Sequence, residues 1–94
     1  MIQQRKTGPD RREELLERGL VIARASGWWS ITRVELARQC GISESAVRYH
    51  YPRHADYINE LLTRAIRRTD RRIIAQIIAG NHPLRAKAEH WLAQ

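Results

Sequence analysis

Four polar side chains fall within one short segment, Glu44 and Ser45 first, then Arg48 and Tyr49 one helical turn later. Helical spacing places these four on one side and turns Ala46 and Val47 towards the interior. The chemistry they offer is recognition. An arginine fork reaches two acceptors on one base edge, guanine O6 and N7 above all, for about 1–3 kcal/mol of discrimination. Arg48 in that position is either such a base contact or a phosphate or surface arginine. Tyr49 packs on a thymine methyl, bonds a phosphate, or rests its ring on the domain surface. Glu44 would repel phosphates unless it accepts from a cytosine amine. Its charge is better explained as complementing the positive end of a helix.

Bond-making chemistry finds no support. No Ser/His/Asp or Cys/His arrangement stands in a structural context, no phosphate loop is present, and the acids are spread along helix surfaces, so no enzyme is expected. His50 and His54 are four residues apart, but Pro52 breaks the face they would share and no further ligand completes a set, so no metal is expected. Nothing implies a cofactor. The lone Cys40 occupies a packing position and reads as an inert thiol.

These side chains need elements to position them. Residues 31–51, ITRVELARQCGISESAVRYHY, read as two short helices around a turn at Gly41. Thr32 and Glu35 have capping-box spacing, and Ser43 suits the N-cap of the second helix. Helix N-termini expose amides that bind phosphate, which makes Thr32 with Arg33, and Ser43, candidate phosphate contacts. This is the pattern in which a second helix enters the major groove.

A first helix is expected over 10–25, with Leu15, Leu16, Leu20, Ile22 and Ala23 inward. Gly19 inside it suggests close approach of another helix, because glycine costs about 1 kcal/mol there against alanine. Of Trp28 and Trp29, at least one should fill the gap between the first helix and the helix pair. Residues 1–9 read as a flexible basic arm, 10–62 as the recognition unit, and 63–94 as a helical extension. From His54 the apolar period predicts one long helix of about seven turns, followed by a short helix after Gly80. Ile73, Ile77, Ile78, Trp91 and Leu92 are expected to form a homodimer interface, although folding back on a monomer would also bury them.

The 94 residues suffice for one domain, and the formal net charge is +7. Of the seventeen basic residues only Lys6 and Lys87 are lysine. Such a balance points to a polyanion, nucleic acid before membrane surface, or to arginines that merely solvate helix faces. No apolar run approaches a membrane span, residues 1–10 lack a secretory core segment, and one cysteine excludes an internal disulfide. A cytoplasmic location is expected.

The stretches ELLERGLVIARASGWWSIT, VELARQCGIS and AVRYHYPRHADYI resemble the DNA-binding domain of the TetR family over roughly residues 10–62. The Leu36-Ala37 pair, the small Cys40 before Gly41, and the His50-Tyr51 ending carry the likeness. The family usually has tyrosine where Arg48 stands, and a lysine–acid pair where His54-Ala55 stand. The resemblance implies an all-α fold, with a three-helix helix-turn-helix domain followed here by a long helix and a short C-terminal helix. It implies phosphate contacts around His50, Arg53 and His54, and a buried Tyr51. The family's ligand-binding helical domain has no counterpart here, so a small-molecule effector is not expected. The function expected is a homodimeric, sequence-specific double-stranded DNA-binding transcriptional regulator, a repressor on a palindromic operator. The alternatives are a module that binds and inhibits another protein, and a sequence-neutral DNA-binding protein.

Overall fold

The computed structural model describes residues 7–92, with the side chain of Leu92 excluded, and among these every regular element is helical. The order is α1 (Gly8–Ser26), a single 3-10 turn (Trp28–Ser30), α2 (Arg33–Cys40), α3 (Glu44–His50), α4 (His54–Arg67), α5 (Arg71–Ala79) and α6 (Arg85–Leu92). No described helix is long and apolar enough to cross a membrane.

Helix α1 starts at Gly8, two residues before the expected start at Asp10. Thr7 accepts from the Asp10 amide, and the Asp10 carboxylate accepts from the Thr7 amide, closing a capping box that satisfies two otherwise unpaired donors. Residues 7–9 therefore belong to the helix and its cap, not to an arm; residues 1–6 lie outside the described part. The expected inward face, Leu15, Leu16, Leu20, Ile22 and Ala23, is buried throughout. Gly19 lies where α4 crosses. A Cβ there would stand 2.0 Å from the Tyr57 hydroxyl, which donates to the Leu15 carbonyl at 2.7 Å.

The single long helix expected from His54 is two helices. Thr69 adopts a left-handed φ of 53°, and Asp70 caps α5 by accepting from the Ile73 amide at 3.3 Å. The break folds α5 back onto the core, where Ile73, Ile74 and Ile77 are fully buried. Ile73 and Ile77 thus complete the interior of their own protomer, which corrects the expectation that they face a second chain. Ile78 is half-buried against the same core, Trp91 keeps about a third of its surface exposed, and Ala88 is buried.

Trp28 pins the 3-10 turn to α5. Its indole N–H donates to the Gln76 carbonyl at 3.4 Å and its amide to Gln76 Oε1 at 3.1 Å, while Gln76 Nε2 donates to the Ala23 carbonyl at 2.8 Å. One tryptophan does fill a gap, but the gap lies between α1 and α5 instead of beside the α2–α3 pair. Trp29 remains 58% exposed.

Candidate nucleic-acid interface

Helices α2 and α3 have 8 and 7 residues, too short to persist alone in water. Caps and contacts from outside hold them. Thr32 Oγ1 accepts from the Glu35 amide at 3.2 Å and Ser43 Oγ from the Ala46 amide at 3.1 Å. The Thr32 box is only half made. The Glu35 carboxylate accepts instead from Arg38 and Gln39, and those hydrogen bonds hold its pKa down at about 2. Gly41 ends α2 with a left-handed φ of 65°, a conformation glycine adopts without steric penalty, and the Ile42 amide then donates to the Ala37 carbonyl at 3.0 Å.

Leu36, Ala37 and Val47 anchor the pair in the core. Burying Val47 turns Glu44, Ser45, Arg48 and Tyr49 outward, and all four are exposed. Tyr49 is 82% exposed, its ring edge-on to His50 at 5.2 Å between centroids. Arg48 approaches Glu44 no closer than 3.8 Å across one turn. Both side chains are largely in solvent, so the pair contributes little and leaves the guanidinium available.

Beside this face lies a shallow cleft of about 410 Å³, lined by Thr32, Arg33, Val34, Glu44, Arg48 and His54 among others. It brings the start of α2, the start of α3 and the start of α4 together. His54 Nε2 lies 3.1 Å from the Ile31 carbonyl. A carbonyl only accepts, so Nε2 carries the proton, and Nδ1 of the neutral ring is an acceptor that has no proton to give a phosphate, which corrects the contact expected of His54. Desolvation lowers the His54 pKa, the Ile31 hydrogen bond opposes this, and the Arg33 charge lowers it further. His50 is lowered by burial first and then by Arg12 and Arg11. Tyr51 is buried, as the resemblance implied. Its ring stands edge-on to Tyr57 at 5.0 Å, and burial with the Glu60 charge pushes its pKa up to about 12.

The remaining expected phosphate contacts divide. Arg53 is exposed at the start of α4 and uses no side-chain cap. Arg33 points inward. Its Nη2 donates to the Pro52 carbonyl at 2.7 Å and the Tyr51 carbonyl at 3.3 Å, latching α2 to the α3–α4 turn. Its geometry gives Arg33 a positioning role. No local pattern announced that role, because the carbonyls lie 18 and 19 residues downstream.

Cys40 is half-buried at the end of α2, packed against the core. Among the described residues no group of three or more His, Cys, Asp or Glu gathers to hold a metal. The site gathers an arginine, two imidazoles and helix N-termini around the exposed face of α3. No protein-family model matches the chain, and no curated protein or solved structure matches it significantly.

Proposed function

We propose that the chain is a sequence-specific double-stranded DNA-binding transcriptional regulator whose α1–α3 unit is a TetR-like helix-turn-helix domain. It acts as a repressor, as a homodimer on a palindromic operator. The observation that carries this reading is the exposed quartet Glu44, Ser45, Arg48 and Tyr49 on a capped helix whose opposite side is locked by Val47. In the major groove Arg48 forks onto a guanine edge and Tyr49 packs on a neighbouring thymine methyl or a phosphate. Thr32, Ser43, His50 and Arg53 hold the flanking phosphates, which fixes register without reading sequence, while His54 steadies the start of α2 through the Ile31 carbonyl. Two-fold pairing would set half-sites about 34–36 Å apart on one face of the duplex. Of the residues first expected to join the protomers, Ile78 and Trp91 still reach the surface. The protein-inhibitor alternative needs an apolar patch on the last two helices, and the burial of Ile73, Ile74 and Ile77 removes most of it.

Selection of bound duplexes from a random pool tests this reading, and a palindromic consensus is expected. The double variant Arg48→Ala, Tyr49→Ala should lose roughly 5- to 150-fold of preference for that consensus, corresponding to about 1–3 kcal/mol per base contact. Its affinity for random sequence should fall far less. Equal wild-type affinity for all sequences at physiological salt would refute the proposal.

A further inference from the structure

Exposed arginines lie in α3 and beside it, among them Arg48 and Arg53, but others lie at a distance from it in the chain. Along the seam between α1 and α4 the arginines are neutralised. Arg64 is held by Glu13 at 2.6 Å and Glu17 at 3.1 Å, Arg68 by Glu17 at 2.6 Å, and Arg24 by Asp70 at 2.6 Å. The next three arginines round the α4–α5 turn have no such partners. Arg67, Arg71 and Arg72 are exposed, and their guanidinium groups enter no ion pair or hydrogen bond among the described residues. Asp70, the nearest acid in sequence, is fully engaged, with one oxygen on the Ile73 amide and the other on Arg24.

Arg71 and Arg72 open α5, placing two cations at the positive end of a helix dipole that the Asp70 carboxylate at the N-cap offsets. The turn that displays them is fixed by the left-handed Thr69 and by amide bonds from Thr69 to Ile66 and from Asp70 to Ala65. Three guanidinium groups without an ion pair among the described residues thus flank one fixed turn, Arg67 at the end of α4 and Arg71 and Arg72 at the start of α5, a charge pattern that suits a polyanion.

The surroundings discriminate between polyanions. A protein partner is held by buried apolar or aromatic anchors within a polar rim. Of the exposed large apolar residues of the described chain, Val21, Trp29, Val34, Tyr49 and Trp91, none belongs to α4, to α5 or to the turn between them. Attraction to a phosphate backbone needs no such anchor, because it comes from counterions released when arginines neutralise phosphates. The 14 residues of α4 put about 21 Å between this corner and the cleft at the other end of the helix, at 1.5 Å per residue.

We infer that Arg67, Arg71 and Arg72 form a second, sequence-blind site for the phosphate backbone of double-stranded DNA, so that one chain bridges two duplex segments. The bridging rests on the DNA reading of α2 and α3, whereas the affinity of the corner itself does not.

The test compares wild type, the triple variant Arg67→Ala, Arg71→Ala, Arg72→Ala, its all-lysine counterpart, and the Arg48→Ala, Tyr49→Ala variant. Two readouts are taken, the salt dependence of random-duplex binding and energy transfer between donor- and acceptor-labelled duplexes. The triple alanine variant should bind with a salt slope smaller by about 2.7, three phosphates at 0.9 each. It should lose bridging and keep its preference for the selected sequence, whereas the lysine variant should keep the slope. The Arg48, Tyr49 variant should lose the preference yet retain the corner's share of the slope. An unchanged slope or unchanged bridging in the triple alanine variant overturns the site. Displacement of duplex from the corner by polyglutamate at equal charge concentration assigns it to an acidic protein and overturns it too. A wild type without sequence preference sinks the regulator proposal alone, since the slope comparison still reports on the corner.

Discussion

Replacing Gly19 with alanine probes the crossing that carries α4, and with it His54, into place. A Cβ at this position would stand 2.0 Å from the Tyr57 hydroxyl and 3.0 Å from Leu61 Cδ1. Both neighbours are buried, so neither can swing into solvent. Tyr57 must give up its hydrogen bond to the Leu15 carbonyl or push the helices apart. A buried polar group left unsatisfied costs about 1–3 kcal/mol, and overpacking a filled interior costs about 1–3 kcal/mol more. Against this, alanine gains about 1 kcal/mol over glycine within a helix. The net is a destabilisation of about 1–5 kcal/mol, read from urea unfolding as a lower midpoint at constant slope. The double variant Gly19→Ala, Tyr57→Phe removes the clashing oxygen. It should be at least about 1 kcal/mol more stable than the sum of the single effects implies, since contacting residues couple on that scale. A Gly19→Ala protein as stable as wild type, or strict additivity of the two changes, would refute the close approach.

Burial holds the imidazoles of His50, His54 and His82 below their ordinary value of 6.5, and His82 Nδ1 accepts from the Leu84 amide at 3.0 Å, which its protonated form cannot do. Folding therefore favours the neutral rings, so their contribution is fully present above pH 6.5 and is lost as pH falls through the lowered folded values. The urea midpoint should drop between pH 7.5 and pH 5, and a flat profile would contradict the burial of these rings. Arg33→Ala removes two charge-assisted bonds to the α3–α4 turn and should cost about 1–3 kcal/mol; unfolding indistinguishable from wild type would show that the latch contributes nothing. Ile73 and Ile77 are buried within one chain, so that part of the core closes inside a protomer. Pairing of two such protomers, as proposed, should raise the melting temperature steadily over a hundredfold range of protein concentration by mass action, and a constant value would refute the homodimer.

What could be read from the sequence follows from the range of the interactions involved. The inward face of α1, the caps at Thr32 and Ser43 and the glycine at position 41 are set by residues within one turn of each other, and all were legible. The Thr7–Asp10 box is equally local, but Pro9 followed by the acids from Asp10 onward marks a helix entry two residues further along. The break after α4 was hidden by phase. Ile66 and Ile73 are seven residues apart, close to two full turns, so the apolar stripe continues undisturbed across a bend that only Thr69 and Asp70 mark. The isoleucines of α5 look the same in sequence whether they face a partner or their own core. Only the bend decides between them. The latches are invisible for a different reason, since Gln76 meets Trp28 and Arg64 meets Glu13 across 48 and 51 residues of chain. Nothing local marks those partners.

Positioning and reading are assigned to different side chains in the candidate interface, and this separation bears on its function. His54 bonds the residue before the α2 cap, and Arg33 bonds the turn after α3. Tyr57 fixes α4 on α1 from the core side. None of these contacts involves Glu44, Ser45, Arg48 or Tyr49, so the outward quartet can change without disturbing the frame that aims it. A frame held from behind suits the reading of a rigid groove, because little conformational entropy is then lost when the helix docks. The same economy of interior explains the tail. With Ile73, Ile74, Ile77 and Ala88 all closing one core, α5 and α6 complete the interior of the protomer. Any pairing of two protomers must fall to surfaces this core leaves outside.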